Sequence, residues 1–333
     1  MRTRSFVPAR RFYAGIDLGG TKIRALVAGE NGAVLGDERT ATLAEDGPDA
    51  VIERIVQAAR AAAAQARIEF RELRAVGVSA PGPIDTRAGV ITAPPNLPGW
   101  HDVPLASILR ERLGVAVLLE NDANCSGLGE HQFGAGRGCR HMIYITVSTG
   151  IGAGIIIDNE LYAGASGAAG EVGHMAVAAE GPMCGAAHTG CLEAFASGTG
   201  IAAQARRLIA AGHLPRTAAL AGQEPPLSAR TVHEAAKAGE TQAREIIGDA
   251  ARYLGIGLGS LLNIFNPQAI VLGGGVIVNM SDLMLGPAIE AARARAFEQA
   301  FADARIVLGE LGDRSAALGA LALVRSRDAA AAI

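Results

Sequence analysis

The sequence predicts an α/β protein built as two domains, and three observations carry that reading. Short apolar runs ending in glycine alternate with alanine-rich stretches of helical period, the pattern an α/β sheet produces. A strand–glycine turn–strand unit occurs twice, entering Asp17-Leu18-Gly19-Gly20-Thr21 and Ser148-Thr149-Gly150-Ile151-Gly152. The chain has 333 residues, half of them apolar and 19% charged, too long for one small core and apolar enough to bury a substantial one.

Residues 12–17 read as a strand ending at Gly19-Gly20. Strands at 23–28 and 33–42 follow, separated by the turn signal Glu30-Asn31-Gly32. Residues 49–66 are alanine-rich, with Val51, Ile52, Ile55 and Val56 at helical spacing. Strands at 73–79 and 115–120 close a first domain, residues 1–121. The second domain, 122–312, starts with a helix from Ala123 and strands at 142–148 and 153–158. It continues with helices at 192–211 and 241–264 and a short buried strand, 269–272, entering Gly273-Gly274-Gly275. Residues 213–228, with Pro215, Pro225 and Pro226, read as a surface loop. A last helix at 314–324 is long enough to return to the first domain, which then also takes residues 313–333. The basic start, Arg2, Arg4, Arg10 and Arg11, lacks the apolar run of a signal peptide and reads as a frayed tail.

A net charge of −3 gives nucleic acid no general attraction, so no nucleic-acid partner is expected. No run approaches the roughly 18–20 apolar residues of a membrane span. Four cysteines, two of them seven apart with a histidine between, suit reduced thiols or a metal rather than a disulfide framework. The expected location is cytoplasmic. The 43 glycines cluster at 15–20, 134–138, 150–154 and 273–275, each near a strand end, where backbone turns tightly or approaches a ligand.

Several motifs carry chemistry. Residues 17–22 bring backbone N–H groups and the Thr21 hydroxyl to where phosphate oxygens can bind, without Walker spacing. Asp17 at a strand end suits a magnesium ion held through water. Asp122 can cap the helix that follows it or act as general base, and one residue can do both. Asn121 offers sugar hydroxyls a donor and an acceptor. Asn96, in Pro94-Pro95-Asn96-Leu97-Pro98, is a turn asparagine or a sugar contact on a stiff loop. Glu171 and His174, three apart, share one side of a helix or turn. His174, Cys184, Cys191 and His188 offer the nitrogen and sulfur ligands of four-coordinate zinc, which would hold Glu193 in place. A phosphate loop, a carboxylate and a polar sugar-sized pocket together mean phosphoryl transfer to a sugar.

Taken in order, the motifs resemble the ROK family of sugar kinases and repressors over about residues 12–325. The carriers are Gly15-Ile16-Asp17-Leu18-Gly19-Gly20-Thr21-Lys22, Ala80-Pro81-Gly82-Pro83, Glu120-Asn121-Asp122-Ala123-Asn124, Ser148-Thr149-Gly150-Ile151-Gly152, Glu171-Val172-Gly173-His174 and Gly190-Cys191-Leu192-Glu193. The resemblance implies an actin-like ATPase (ribonuclease H-like) fold, with two α/β domains closing over a cleft. It implies ATP and Mg²⁺ as cofactors, a homodimer, and Asp122 as the base acting on a hexose 6-hydroxyl. It makes Gly82, Asn96, Asn121, Asp122, Glu171, His174 and Glu193 sugar-binding. It makes Asp17, Gly19, Gly20, Thr21, Lys22, Ser148, Thr149, Gly150 and Gly152 phosphate-binding, and puts Gly273, Gly274 and Gly275 where the adenosine sits.

One departure concerns the metal. The family's zinc motif usually carries three cysteines and the histidine, and Ala186 stands here where the middle cysteine belongs. Either His188 completes a set with His174, Cys184 and Cys191, or the site relies on packing without zinc. Residues 168–174 look most like the glucose-using branch. Kinases for N-acetylglucosamine, N-acetylmannosamine, fructose or mannose share most of these residues, and no residue excludes polyphosphate as donor. The family's repressors carry a helix-turn-helix before the first glycine motif. About a dozen residues precede it here, too few for such a module, so catalysis is expected over sugar-responsive regulation.

Overall fold

The computed structural model of the protein describes residues 11–222 and 227–331. The frayed-tail expectation for Arg2, Arg4 and Arg10 lies outside these residues. The chain divides into two compact units: one runs to Gly134 and resumes at Asp313, the other is Ala135–Gly312.

The first unit is a five-stranded sheet of order β3-β2-β1-β4-β7, from β1 (Phe12–Leu18), β2 (Lys22–Gly29), β3 (Val34–Ala41), β4 (Leu73–Ala80) and β7 (Ala116–Asn121). The strand pair β5 (Ile84–Asp85) and β6 (Val90–Ile91) stands apart from it. β1 pairs antiparallel with β2 and parallel with β4, and β4 parallel with β7. Alternation along β1 decides what covers each face. Ala14, Ile16 and Leu18 join the core under α1 (Pro48–Gln65) and α2 (Leu105–Leu113). Tyr13 packs with Leu321 and Val324 of the last helix, α12 (Ser315–Ala331). A side chain at position 15 would run into the α12 backbone at Ala317, so this helix docks directly on the bare strand.

The second unit repeats the plan. Its sheet has the order β10-β9-β8-β11-β12, from β8 (Met142–Val147), β9 (Ile151–Ile157), β10 (Glu160–Leu161), β11 (Ala269–Gly273) and β12 (Arg305–Leu308). Again the first strand pairs antiparallel with the second and parallel with the fourth. The strand–turn–strand repeat read from the sequence is thus repeated sheet topology. Its helical layer centres on α8 (Thr241–Phe265), whose Ile246, Ile247, Leu254, Leu258 and Leu261 are buried at helical spacing in the main core of the unit.

Three expectations need correction. The helix α3 (Asp122–Phe133) belongs to the first unit, since a Cβ at Gly129 or Gly319 would strike the backbone of the other helix of the α3–α12 pair. The chain therefore crosses after Gly134, not before Asp122. The single helix expected at 192–211 is two, α4 (Leu192–Ala196) and α5 (Gly198–Ala210), because the Ser197 hydroxyl caps the second by accepting the N–H of Gly200. The expected loop at 213–228 contains a helix, α6 (Pro215–Ala221), started by a proline at its first position; Pro225 and Pro226 lie outside the described residues. The sequence reading did not pick out α2, β12, α7 (Ala229–Lys237), α9 (Gly275–Asn279), α10 (Ser281–Arg293) or α11 (Glu298–Ala302).

Candidate active site

In the first unit the parallel strands β1, β4 and β7 bring Asp17, Ser79 and Glu120 side by side. Ligands of open α/β sheets bind beyond such carboxyl ends. The Ser79 hydroxyl donates to Asp17 Oδ1 at 3.0 Å. Burial raises the Asp17 carboxyl, the nearby Asp122 charge adds to it, and together they outweigh the Ser79 bond and hold Asp17 at about 6. Two carboxylates with this surplus of negative charge fit an oxygen-loving dication such as Mg²⁺.

Asp122 is the first residue of α3, and the cap is its neighbour. The Asn121 side-chain oxygen accepts from the N–H groups of Ala123 (2.9 Å) and Asn124 (3.3 Å). This corrects the sequence reading in two ways. Asp122 is not the N-cap but the exposed first residue of the helix, at the positive end of its dipole, with Oδ1 accepting the Ala123 N–H at 2.9 Å. Asn121 keeps its amide N–H₂ for a ligand, but its oxygen is engaged. Buried Glu120 braces this strand end by accepting from Asn121 N (2.9 Å) and Asn124 Nδ2 (3.0 Å). Gly82 adjoins Asn121, and exposed Asn96 lies against Gly20.

The first glycine turn is closed by Gly19 N–H donating to Lys22 O at 3.0 Å, so that N–H is not available to phosphate. Buried Thr42, which the sequence reading missed, ties the turn down: its hydroxyl donates to Gly19 O (2.6 Å) and its N–H to Thr21 O (3.0 Å). Lys22 Nζ lies 3.7 Å from Asp313. Among the described residues, Gly20 N–H and Thr21 N–H have no partner.

The second unit carries the matching turn. Ser148 N–H donates to Gly150 O at 2.9 Å, and Thr149 N–H and Gly150 N–H have no partner among the described residues. Ser148, Thr149 and Gly275 line a cavity of about 940 Å³, Gly275 being the first residue of α9. Its walls come from α5 and α7, including Thr199, Arg206 and His233, none of which the sequence reading selected. The available signal was Ser197-Gly198-Thr199-Gly200, a cap motif directly after Glu193. Gly152 lies in β9 opposite Thr146, and Gly273 ends β11.

Glu193, on α4, accepts the Ile151 N–H at 3.0 Å. Glu171 is exposed just before the short 3₁₀ turn Val172–His174. The donor atoms of His174, Cys184, His188 and Cys191 all lie within 4.8 Å of one another. His174 Nδ1 is 3.5 Å from Cys184 Sγ. Burial pushes the Cys184 thiol up, but hydrogen bonds from the His188 and Ala186 backbone and from Cys191 and His174 bring it down to about 7. Cys191 is driven the other way, to about 11, by burial and by Cys184. The pair accommodates one negative charge readily and resists a second, a conflict that a dication relieves. Two sulfurs and two nitrogens at this spacing fit tetrahedral zinc, with His188 taking the place of the cysteine absent at Ala186.

Comparison with known proteins shows the family. The ROK family model matches residues 13–327, and the chain belongs to that family. Its fold is accordingly the actin-like ATPase fold of two α/β domains. The chain is 35% identical over 317 residues to the glucokinase of Thermotoga maritima, covering 94% of this chain and 97% of that one. It is 32% identical over 312 residues to the xylose repressor of Caldicellulosiruptor bescii, covering 94% of this chain and 77% of that one. It matches the crystal structure of a ROK glucokinase from Streptomyces griseus in complex with glucose and AMPPNP at a TM-score of 0.76 and 33% identity, covering 95% and 99% of the two chains. No helix among the described residues is long and apolar enough to cross a membrane.

Proposed function

We propose that this chain is an ATP-dependent hexose kinase that phosphorylates glucose at its 6-hydroxyl. The observation that carries the reading is Asp122, an exposed carboxylate at the first position of α3 whose charge reaches Asp17. A carboxylate so placed orients a hydroxyl and accepts its proton as the phosphorus–oxygen bond forms. Two glycine turns, each with a pair of unengaged N–H donors, supply the preorganised dipoles that phosphate oxygens need. Gly82, Asn96 and Asn121, and Glu171, His174 and Glu193, are the residues assigned to the hexose.

Asp17 is the residue that would hold Mg²⁺, through water, and the ion would neutralise phosphate charge. The 940 Å³ cavity takes the nucleoside, with Gly275 in its lining and Gly273 and Gly274 just before it in the chain. His174, Cys184, His188 and Cys191 hold a structural zinc that keeps Glu193, two residues beyond Cys191, in place. A cytoplasmic setting fits the four free thiols. Measured ADP release with ATP·Mg²⁺ against glucose, mannose, fructose, N-acetylglucosamine and N-acetylmannosamine tests the reading. Turnover strongest on glucose is the expected result. Sugar binding without turnover on any of them sinks the kinase and leaves a sugar sensor.

A further inference from the structure

We propose that Thr199 is a positioning residue that fixes the phosphate turn 148–150 through its carbonyls, an inference that rests on the kinase reading above. The turn has one internal hydrogen bond and a glycine, so its shape has to be imposed from outside. The segment just after Glu193 imposes it. Gly198 N–H donates to Ser148 O at 2.8 Å and Thr199 N–H to Thr149 O at 3.2 Å. The Thr199 hydroxyl donates to the same Thr149 carbonyl at 2.9 Å. Glu193 takes the Ile151 N–H beyond the turn.

Which groups this leaves free is decided by the planarity of the peptide. The Ser148 carbonyl and the Thr149 N–H belong to one peptide plane, and the Thr149 carbonyl and the Gly150 N–H to the next. In a trans peptide the N–H points opposite to the C=O. Tying both carbonyls to α5 therefore turns both unengaged N–H groups away from it, as a pair. The helix N-terminus does not bind the anion itself, since Gly198, Thr199 and Gly200 N–H are all engaged; it aims the donors that do.

The direction of the hydroxyl chain follows from the same bookkeeping. A carbonyl only accepts, so Thr199 donates to Thr149, and fully buried Ser197 must donate to Thr199 across their 2.9 Å contact. Ser197 in turn accepts Gly200 N–H at 3.0 Å. The chain from Gly200 through Ser197 and Thr199 ends on the Thr149 carbonyl, and such chains strengthen each member. The peptide it polarises is the one whose other end is the Gly150 donor.

The test compares the wild type with Thr199→Val and Thr199→Ser, reading KM for ATP and for glucose separately, with AMPPNP binding by calorimetry alongside. Valine keeps the shape and the backbone bond but removes the hydroxyl; serine keeps the hydroxyl. Thr199→Val should raise KM for ATP and weaken AMPPNP about tenfold, with KM for glucose within about twofold, and Thr199→Ser should restore most of the loss. A Thr199→Val enzyme with wild-type ATP affinity overturns the proposal. So do equal losses in both variants, or KM values for ATP and glucose that rise together. If Thr199→Val fails to fold, Ser197→Ala interrupts the same chain one step back and is read in the same way. A wild type without turnover overturns the kinase reading underneath, which separates that failure from this one.

Discussion

The Glu193 carboxylate accepts the backbone N–H of Ile151 at 3.0 Å, so a residue assigned to the sugar also closes the far end of a phosphate turn. A ligand that draws on this carboxylate necessarily acts on the turn as well, and linkage makes the effect reciprocal.

Gly150 probes this relationship. It adopts no positive φ, so alanine meets no backbone strain there. What alanine meets is Glu193: its Cβ would lie 2.6 Å from Oε2. A glutamate side chain can swing away, so Gly150→Ala should fold with a nearly unchanged melting temperature. It should lose about tenfold in kcat/KM for the sugar, the size of one charge-assisted hydrogen bond. Unaltered sugar kinetics in a folded variant would show that the carboxylate does not need this anchor.

Asp122→Asn keeps the oxygen that accepts Ala123 N–H at 2.9 Å and removes only the basic charge. Turnover should fall by about 10²–10⁴, the range for loss of a general base, while glucose binding by calorimetry is retained. Turnover within about threefold of wild type would sink the base assignment.

Asp17 makes stability and activity respond oppositely to pH. Its folded pKa of about 6 lies above the ordinary carboxyl value of 3.8, so the folded protein binds the proton more tightly than the unfolded one. The stabilising contribution is complete below 3.8 and is lost as pH rises through about 6. Asp17→Asn should therefore gain several degrees in melting temperature at about pH 8 and much less at about pH 4. Turnover needs the ionised form and should fall as pH drops below about 6. Equal melting shifts at both pH values would remove burial of this charge as the cause.

The cysteine–histidine cluster predicts about one zinc per chain, read by elemental analysis. Chelation should lower the melting temperature by several degrees, because binding energy at such a site is folding energy. His188→Ala should bind zinc at least about tenfold more weakly than the wild type. A protein that melts identically with and without chelator would mean packing alone holds the segment before Glu193.

The sequence by itself determined most of the sheet strands and the long helices at 49–66 and 241–264, because period and turn chemistry are local. Residues 12–17, 49–66 and 241–264 differ from the observed elements by a residue or so at each end. It also determined which polar residues gather at strand ends, through Asp17, Asn121, Asp122 and the two glycine turns. Only the tertiary structure decided which atoms of those residues remain free. Whether Asn121 or Asp122 caps α3 depends on backbone torsions that neighbouring sequence permits either way, and the cap fell to Asn121. That α3 belongs to the first unit follows from its close fit to α12, nearly 190 positions later, as in the Ser315–Ser126 contact at 3.3 Å. Thr42, Ser79 and Thr199 each reach a site residue from a distant part of the chain, at separations of 23, 62 and 50 positions. Periodicity reports which way a side chain faces within its own element. It carries no record of which carbonyl folding brings against it, and here that second fact aims the phosphate donors.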